Sequence, residues 1–215
     1  DNDAGSVEVR AITRNVESAA AAAYPMLEGC QLVEADAGEK DSLASALEGS
    51  DYLIISVGTT AFPSKKRGKN NKNDPKAACL DSVNNVLDVV KGLSLKPNRI
   101  VLISSIGVER ANDLPFSILN SFGVLDYKRQ SEEALREFSA STDIQSIIIR
   151  PGRLVGAPFT NYDLAALLKL DQGSKKKVIL SPFDDLAADT QREDVAATVC
   201  QALTAPMSGT SATFS

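Results

Sequence analysis

Short runs of β-forming residues alternate with helical patterns along nearly all of this 215-residue chain, and no other feature restricts its fold as strongly. "VEVRAIT" (7–13), "CQLVEAD" (30–36), "DYLIISVG" (51–58), "RIVLISS" (99–105) and "IQSIIIRPG" (144–152) read as strands. "DYLIISVG" is a continuous apolar run, the pattern of a strand buried on both faces of a parallel sheet. Helical patterns lie between them, around 16–24, 41–49, 76–93 and 123–139. In the longest gap Leu80, Val83, Val86, Leu87, Val90 and Leu93 recur at helical spacing, and Gly92 marks the end. On the next helix Leu125, Ala134, Leu135 and Phe138 are the inward candidates. Strands separated by helices are βαβ crossovers, so the chain is an α/β protein with a doubly wound parallel sheet of Rossmann type.

Beyond Gly156 the pattern loosens to a helix at 161–170 capped by Asn161, a strand at 176–181, a helix at 192–203 and a final strand "ATFS". We read residues 1–215 as one domain, with 157–215 as a smaller C-terminal, substrate-side region.

Composition removes several functions. The chain has no histidine, which excludes a Ser-His-Asp or Cys-His triad, a zinc-protease helix and a histidine general base. Cys30, Cys79 and Cys200 form no CxxC pair, so no metal site is expected; buried free thiols in a reducing compartment fit them better. Net charge is −5, aromatic content is 5% and Trp is absent, all of which argue against nucleic acid as a partner. No apolar run reaches the ~18 residues of a membrane-spanning helix. The basic run from Lys65 to Lys72 reads as a solvated loop, with an acidic partner or an anionic membrane face as the alternative, so peripheral membrane association stays open. "DNDAGS" at the front is neither a signal nor a transit peptide, and the chain reads as a processed or partial product.

Ligands of open parallel sheets bind outside the carboxyl ends of the strands. The residues leaving the strands here are Arg14-Asn15, Asp36-Ala37, Ser56-Val57-Gly58, Ser104-Ser105 and Pro151-Gly152-Arg153. Small, polar and glycine residues gather there, as a ligand approached by backbone requires.

With "SVGTTAFPSK", "RIVLISSIGV", "LPFSILNSFGVLDYK", "IIIRPGRLVGAPFTNYDL" and "REDVAATVCQAL" assembled, the chain resembles the atypical short-chain dehydrogenase/reductase family, in particular its plastid NAD(P)-binding members. That resemblance implies a chloroplast location and a nicotinamide cofactor. Family chains open with a strand, a glycine-rich turn and a helix. Here the first strand and glycine-loop unit are absent, which leaves a slot for one strand in the sheet.

The resemblance also assigns roles. Arg14, with Asn15, would meet the cofactor's ribose, and its charge suits the 2′-phosphate of NADP; an exposed arginine without a ligand fits the same residue. Asp36 and Ala37 would lie beside adenine, against a plain turn-capping role for the Asp. Ser56, Val57 and Gly58 would pass under the cofactor, and Pro151, Gly152 and Arg153 would flank the nicotinamide. Asn85 would hold a water or a backbone kink, or else be satisfied by its own helix.

Ser105, rather than Ser104, matches the family's substrate-orienting serine, and Lys128 matches the lysine of its Tyr-x-x-x-Lys pair. The tyrosine position is Val124, and Tyr127 is turned away from it by the ~100° of one helical residue. Lys128 as a helix-surface ion pair with Glu132 is the competing reading, and the cofactor role is the favoured one. Two functions are expected: an NADP-binding reductase-like protein for a small-molecule substrate, with weak or no classical activity, or a non-catalytic assembly subunit of a larger photosynthetic or respiratory complex.

Overall fold

The computed structural model describes residues 7–17, 29–59, 74–156, 178–186 and 188–215. Strands β1 (Arg10–Thr13) and β2 (Gln31–Glu34) pair in parallel, with Ile12 opposite Val33. Strands β3 (Tyr52–Ile55), β4 (Arg99–Ile103), β5 (Gln145–Ile149) and β8 (Ser211–Phe214) form a second parallel sheet in that spatial order. Two short strands, β6 (Arg153–Val155) and β7 (Asp189–Gln191), pair beside it. The helices are α1 (Lys40–Leu47), α2 (Ser82–Gly92, entered through a π-helical turn at Ala77–Asp81), α3 (Phe116–Leu119), α4 (Val124–Ala140) and α5 (Arg192–Thr204).

Apolar spacing decides the packing. Leu80, Val83, Val86, Leu87, Val90 and Leu93 are all buried, as their recurrence requires. With Leu43 and Leu47 of α1 and Leu135 and Phe138 of α4, all of them but Leu80 join Ile55, Ile100, Leu102 and Ile148 in one core. Burying each such side chain stabilises the fold by roughly 1.5–3 kcal/mol. On the opposite face Val199 of α5 covers Val101, Ile147 and Ile149, so β4 and β5 are sandwiched and the sheet is doubly wound. Helix α4 starts after Gly123, whose φ of 74° strains any side-chain-bearing residue; a Cβ there would also sit 3.0 Å from the Tyr127 ring.

Three expectations need correction. Strand β3 is buried on one face only: Leu53 and Ile55 turn to the core, whereas Tyr52 and Ile54 are 42% and 47% exposed. Among the described residues β3 has a ladder partner only in β4, and β1 only in β2. The strand expected at 176–181 is not one in its described part: 178–180 have no ladder, and only Ser181 exchanges backbone hydrogen bonds with Ser215, at 3.0 and 2.8 Å. The three thiols are free but differ in burial, with Cys79 buried, Cys30 half-buried and Cys200 exposed. The basic run, the helix at 161–170 and most of that at 16–24 lie outside the described residues.

Candidate functional site

The loops leaving β4 and β5 are held together by backbone. Ser104 N–H donates to Ile149 O at 2.8 Å and Ile106 N–H to Pro151 O at 3.1 Å. Into this junction α4 delivers Lys128, whose Nζ donates to the carbonyls of Ile103 at 3.3 Å and Ser104 at 3.4 Å. Burial lowers the Lys128 pKa from the ordinary 10.5, and the neighbouring Cys79 and Glu132 oppose that shift. Beside it, Ser105 Oγ donates to Ile106 O at 3.1 Å, and the buried Ser104 Oγ has no hydrogen-bond partner among the described residues.

The competing ion-pair reading of Lys128 is not realised as a contact. Glu132 is fully buried and accepts from Arg150 and Arg136 instead. Tyr127, one helical residue before Lys128 on α4, packs against the αL residue Gly123.

At the β3 exit, Ser56 and Gly58 are exposed, Val57 leans on the core, and a Cβ on Gly58 would meet nothing within 4 Å. Arg14 and Asn15 leave β1 exposed. Asp36 takes the turn-capping role: its Oδ1 accepts from Gly38 N–H at 2.8 Å. Asn85 is not satisfied by its own helix, for its Nδ2 donates to Ala37 O at 3.0 Å and ties α2 to the β2 exit.

Gly152 is needed by the protein itself. A Cβ there would stand 1.9 Å from the Ala188 carbonyl oxygen, and its N–H donates to Thr190 Oγ1 at 3.1 Å. Arg153 holds Asp189 through two hydrogen bonds of 2.8 and 2.6 Å on the exposed side of β6 and β7. The structure thus groups Ser104, Ser105, Lys128, Pro151 and Gly152 at one junction, while Arg14, Asn15, Asp36 and Ala37 lie at the ends of the separate β1–β2 pair.

Sequence reasoning missed Arg150. The signal was present, since a charged residue directly after the apolar run "SIII" has to find a buried partner. The described residues hold no cluster able to bind a metal, and no helix among them is long and apolar enough to cross a membrane.

A parallel sheet with flanking helices on both faces defines an α/β protein of Rossmann type. Residues 2–206 match the family model described as NAD(P)H-binding, and the chain belongs to that family. It is 31% identical over 127 residues to the chloroplastic protein TIC 62 of Arabidopsis thaliana, a match covering 59% of this chain and 18% of that protein. With the pea protein of the same name at 22% coverage, the chain spans about a fifth of the curated relatives it matches. Among solved structures, the oxidoreductase ylbE of Lactococcus lactis superposes with a TM-score of 0.64 at 17% identity, over 99% of this chain and 81% of that one. The anaerobillin reductase ChuY of Escherichia coli O157:H7 does so with 0.61 at 17% identity, over 96% and 84%. Both share the fold.

Proposed function

We propose that this chain is an NADP-binding, reductase-like protein of plastids whose classical carbonyl-reduction activity is weak or absent. The observation that carries the reading is Lys128. Its ammonium has three donors, meets two carbonyls at 3.3 and 3.4 Å, and has no tyrosine one turn before it, where Val124 stands. The residues at the β4–β5 junction fit the nicotinamide half of the cofactor. Lys128 would hold the ribose, Ser105 would orient a small-molecule substrate's oxygen, and Ser56 to Gly58 would lie beneath. The cofactor, when bound, supplies a hydride; this chain supplies orientation without the usual proton donor. Arg14 favours NADP over NAD at the β1 end. The plastid location is carried over from the likeness to TIC 62, named as chloroplastic.

Titration of the purified protein with NADPH and NADH, followed by assay with a panel of small carbonyl compounds, tests this. Tighter binding of NADPH with negligible turnover is expected. Steady turnover abolished by Lys128→Ala would overturn the reading of weak or absent activity, and failure to bind either nucleotide would end the proposal.

One observation favours the second reading, a non-catalytic assembly subunit: Tyr52 and Ile54 stand exposed on a strand that lacks a partner on one edge among the described residues. Co-purification of the native protein with a stable complex supports that role, and a monomer in native extract counts against it.

A further inference from the structure

The most heavily buried charges lie one turn from Lys128. Arg150, at the exit of β5, is 2% exposed and grips the fully buried Glu132 of α4 with Nε–Oε1 at 3.0 Å and Nη2–Oε2 at 2.6 Å. Its Nη1 reaches Glu109 in the β4-exit loop at 2.7 Å. Arg136 donates to the same Glu132 carboxylate at 3.0 Å and to Thr213 Oγ1 of β8 at 3.2 Å. Beside the backbone hydrogen bonds between the β4 and β5 exits, one guanidinium therefore joins three segments through side-chain contacts. These are the helix bearing Lys128, the loop following Ser105 and the strand end leading into Pro151-Gly152.

As a source of stability such a pair is a poor choice. Withdrawing two charges from water costs about as much as their attraction returns, and an apolar pair of similar volume is often as stable or more so. What the fork supplies is direction: two parallel hydrogen bonds fix the angle as well as the separation of α4 and β5.

We propose that Arg150 and Glu132 are positioning residues for the cofactor site, their buried ion pair and its branch to Glu109 locking α4 and the β4 and β5 exits so that Lys128, Ser105 and Gly152 are presented together. The proposal rests on reading Lys128 as the cofactor lysine. Glu132 also opposes the effect of burial on the Lys128 pKa, which agrees with its place one turn along the helix.

The test uses the full chain carrying Glu132→Leu and Arg150→Met together, which removes the pair without leaving a lone buried charge. Three quantities are read: the thermal transition, the 13Cε resonance of Lys128 assigned with Lys128→Arg, and the dissociation constant for NADP+. The expected result is a cooperative transition, a displaced Lys128 resonance and NADP+ binding weakened roughly tenfold, within the range shown by coupled neighbours. Adding Lys128→Ala to the pair variant should weaken binding no further than Lys128→Ala alone, because the pair acts through the lysine. An unchanged resonance with unchanged affinity, or losses that add in full, would overturn the proposal.

If the pair variant does not fold, Arg150→Lys, which keeps the charge and loses the fork, decides by the same resonance. Should wild type not bind NADP+, the cofactor reading fails, while the Lys128 resonance still decides whether the pair positions the lysine.

Discussion

The ammonium of Lys128 points at the carbonyl oxygen of Ile103, 3.3 Å away, so the end of β4 and the middle of α4 are joined by a charged group partly withdrawn from water. Withdrawal lowers the Lys128 pKa below 10.5. Between that lowered value and 10.5 the unfolded chain binds a proton that the folded chain does not, so unfolding free energy rises with pH in this window and is flat below it on account of this residue. Denaturant titrations across alkaline pH should show that rise, and Lys128→Met should remove it. NADP+ affinity should move the opposite way, weakening before the ordinary lysine range as the positive charge is lost, with Lys128→Arg restoring binding at high pH.

Asn85→Ala should cost stability without touching the apolar core. The substitution leaves the Ala37 carbonyl without the donor now 3.0 Å away, a loss of about 1–2 kcal/mol for a partly buried group. Chemical denaturation reads it directly. Because Ala37 lies beside the proposed adenine site, NADP+ binding should weaken in parallel, by a few-fold.

Gly152→Ala should be worse than most glycine substitutions, since the new methyl would stand 1.9 Å from a backbone oxygen that has no flexible end to yield. Displacing the residues around Ala188 is expected to cost ~1–3 kcal/mol. Gly58→Ala meets nothing within 4 Å, so the folded protein should tolerate it. A drop in NADP+ affinity for Gly58→Ala at unchanged thermal stability would mark that position as facing the ligand.

Arg99 holds the end of α5 by donating to the Leu203 carbonyl at 2.9 Å and to that of Ala202. A cation at a helix C-terminus also complements the macrodipole. Arg99→Met should therefore lower stability by about 1–3 kcal/mol, through the carbonyls it abandons. Amide exchange in Arg192–Thr204 should quicken first.

Exchange also tests the sheet. Tyr52–Ile55 and Arg10–Thr13, each paired on one side among the described residues, should exchange faster than Arg99–Ile103, which is paired on both.

Much of this architecture was legible because burial follows local period. The six apolar positions from Leu80 to Leu93 are each within one stripe, and "RIVLI" is apolar on both faces, so their surroundings were readable without a partner in sight. Strand β3 was misread because its pattern is just as apolar; what decides its exposure is whether another element lies against it, which its own residues do not encode. Glu132 looked like a surface residue of a polar helix, since its partner Arg150 is 18 positions away and only the fold brings the two together. Gly152 was read as a place where a ligand comes close, and the group found against it is the protein's own backbone at Ala188. The departure at Val124 needed no structure, because two positions four apart on a helix share a face in any context.

The central claim is that the junction around Lys128 holds the nicotinamide half of NADP. Calorimetric titration of the full chain and of Lys128→Ala with NADP+ at neutral pH tests it most directly. The account predicts one site per chain in the wild type and affinity at least tenfold lower in the variant, with a cooperative thermal transition retained. Equal affinity in the two proteins would contradict it.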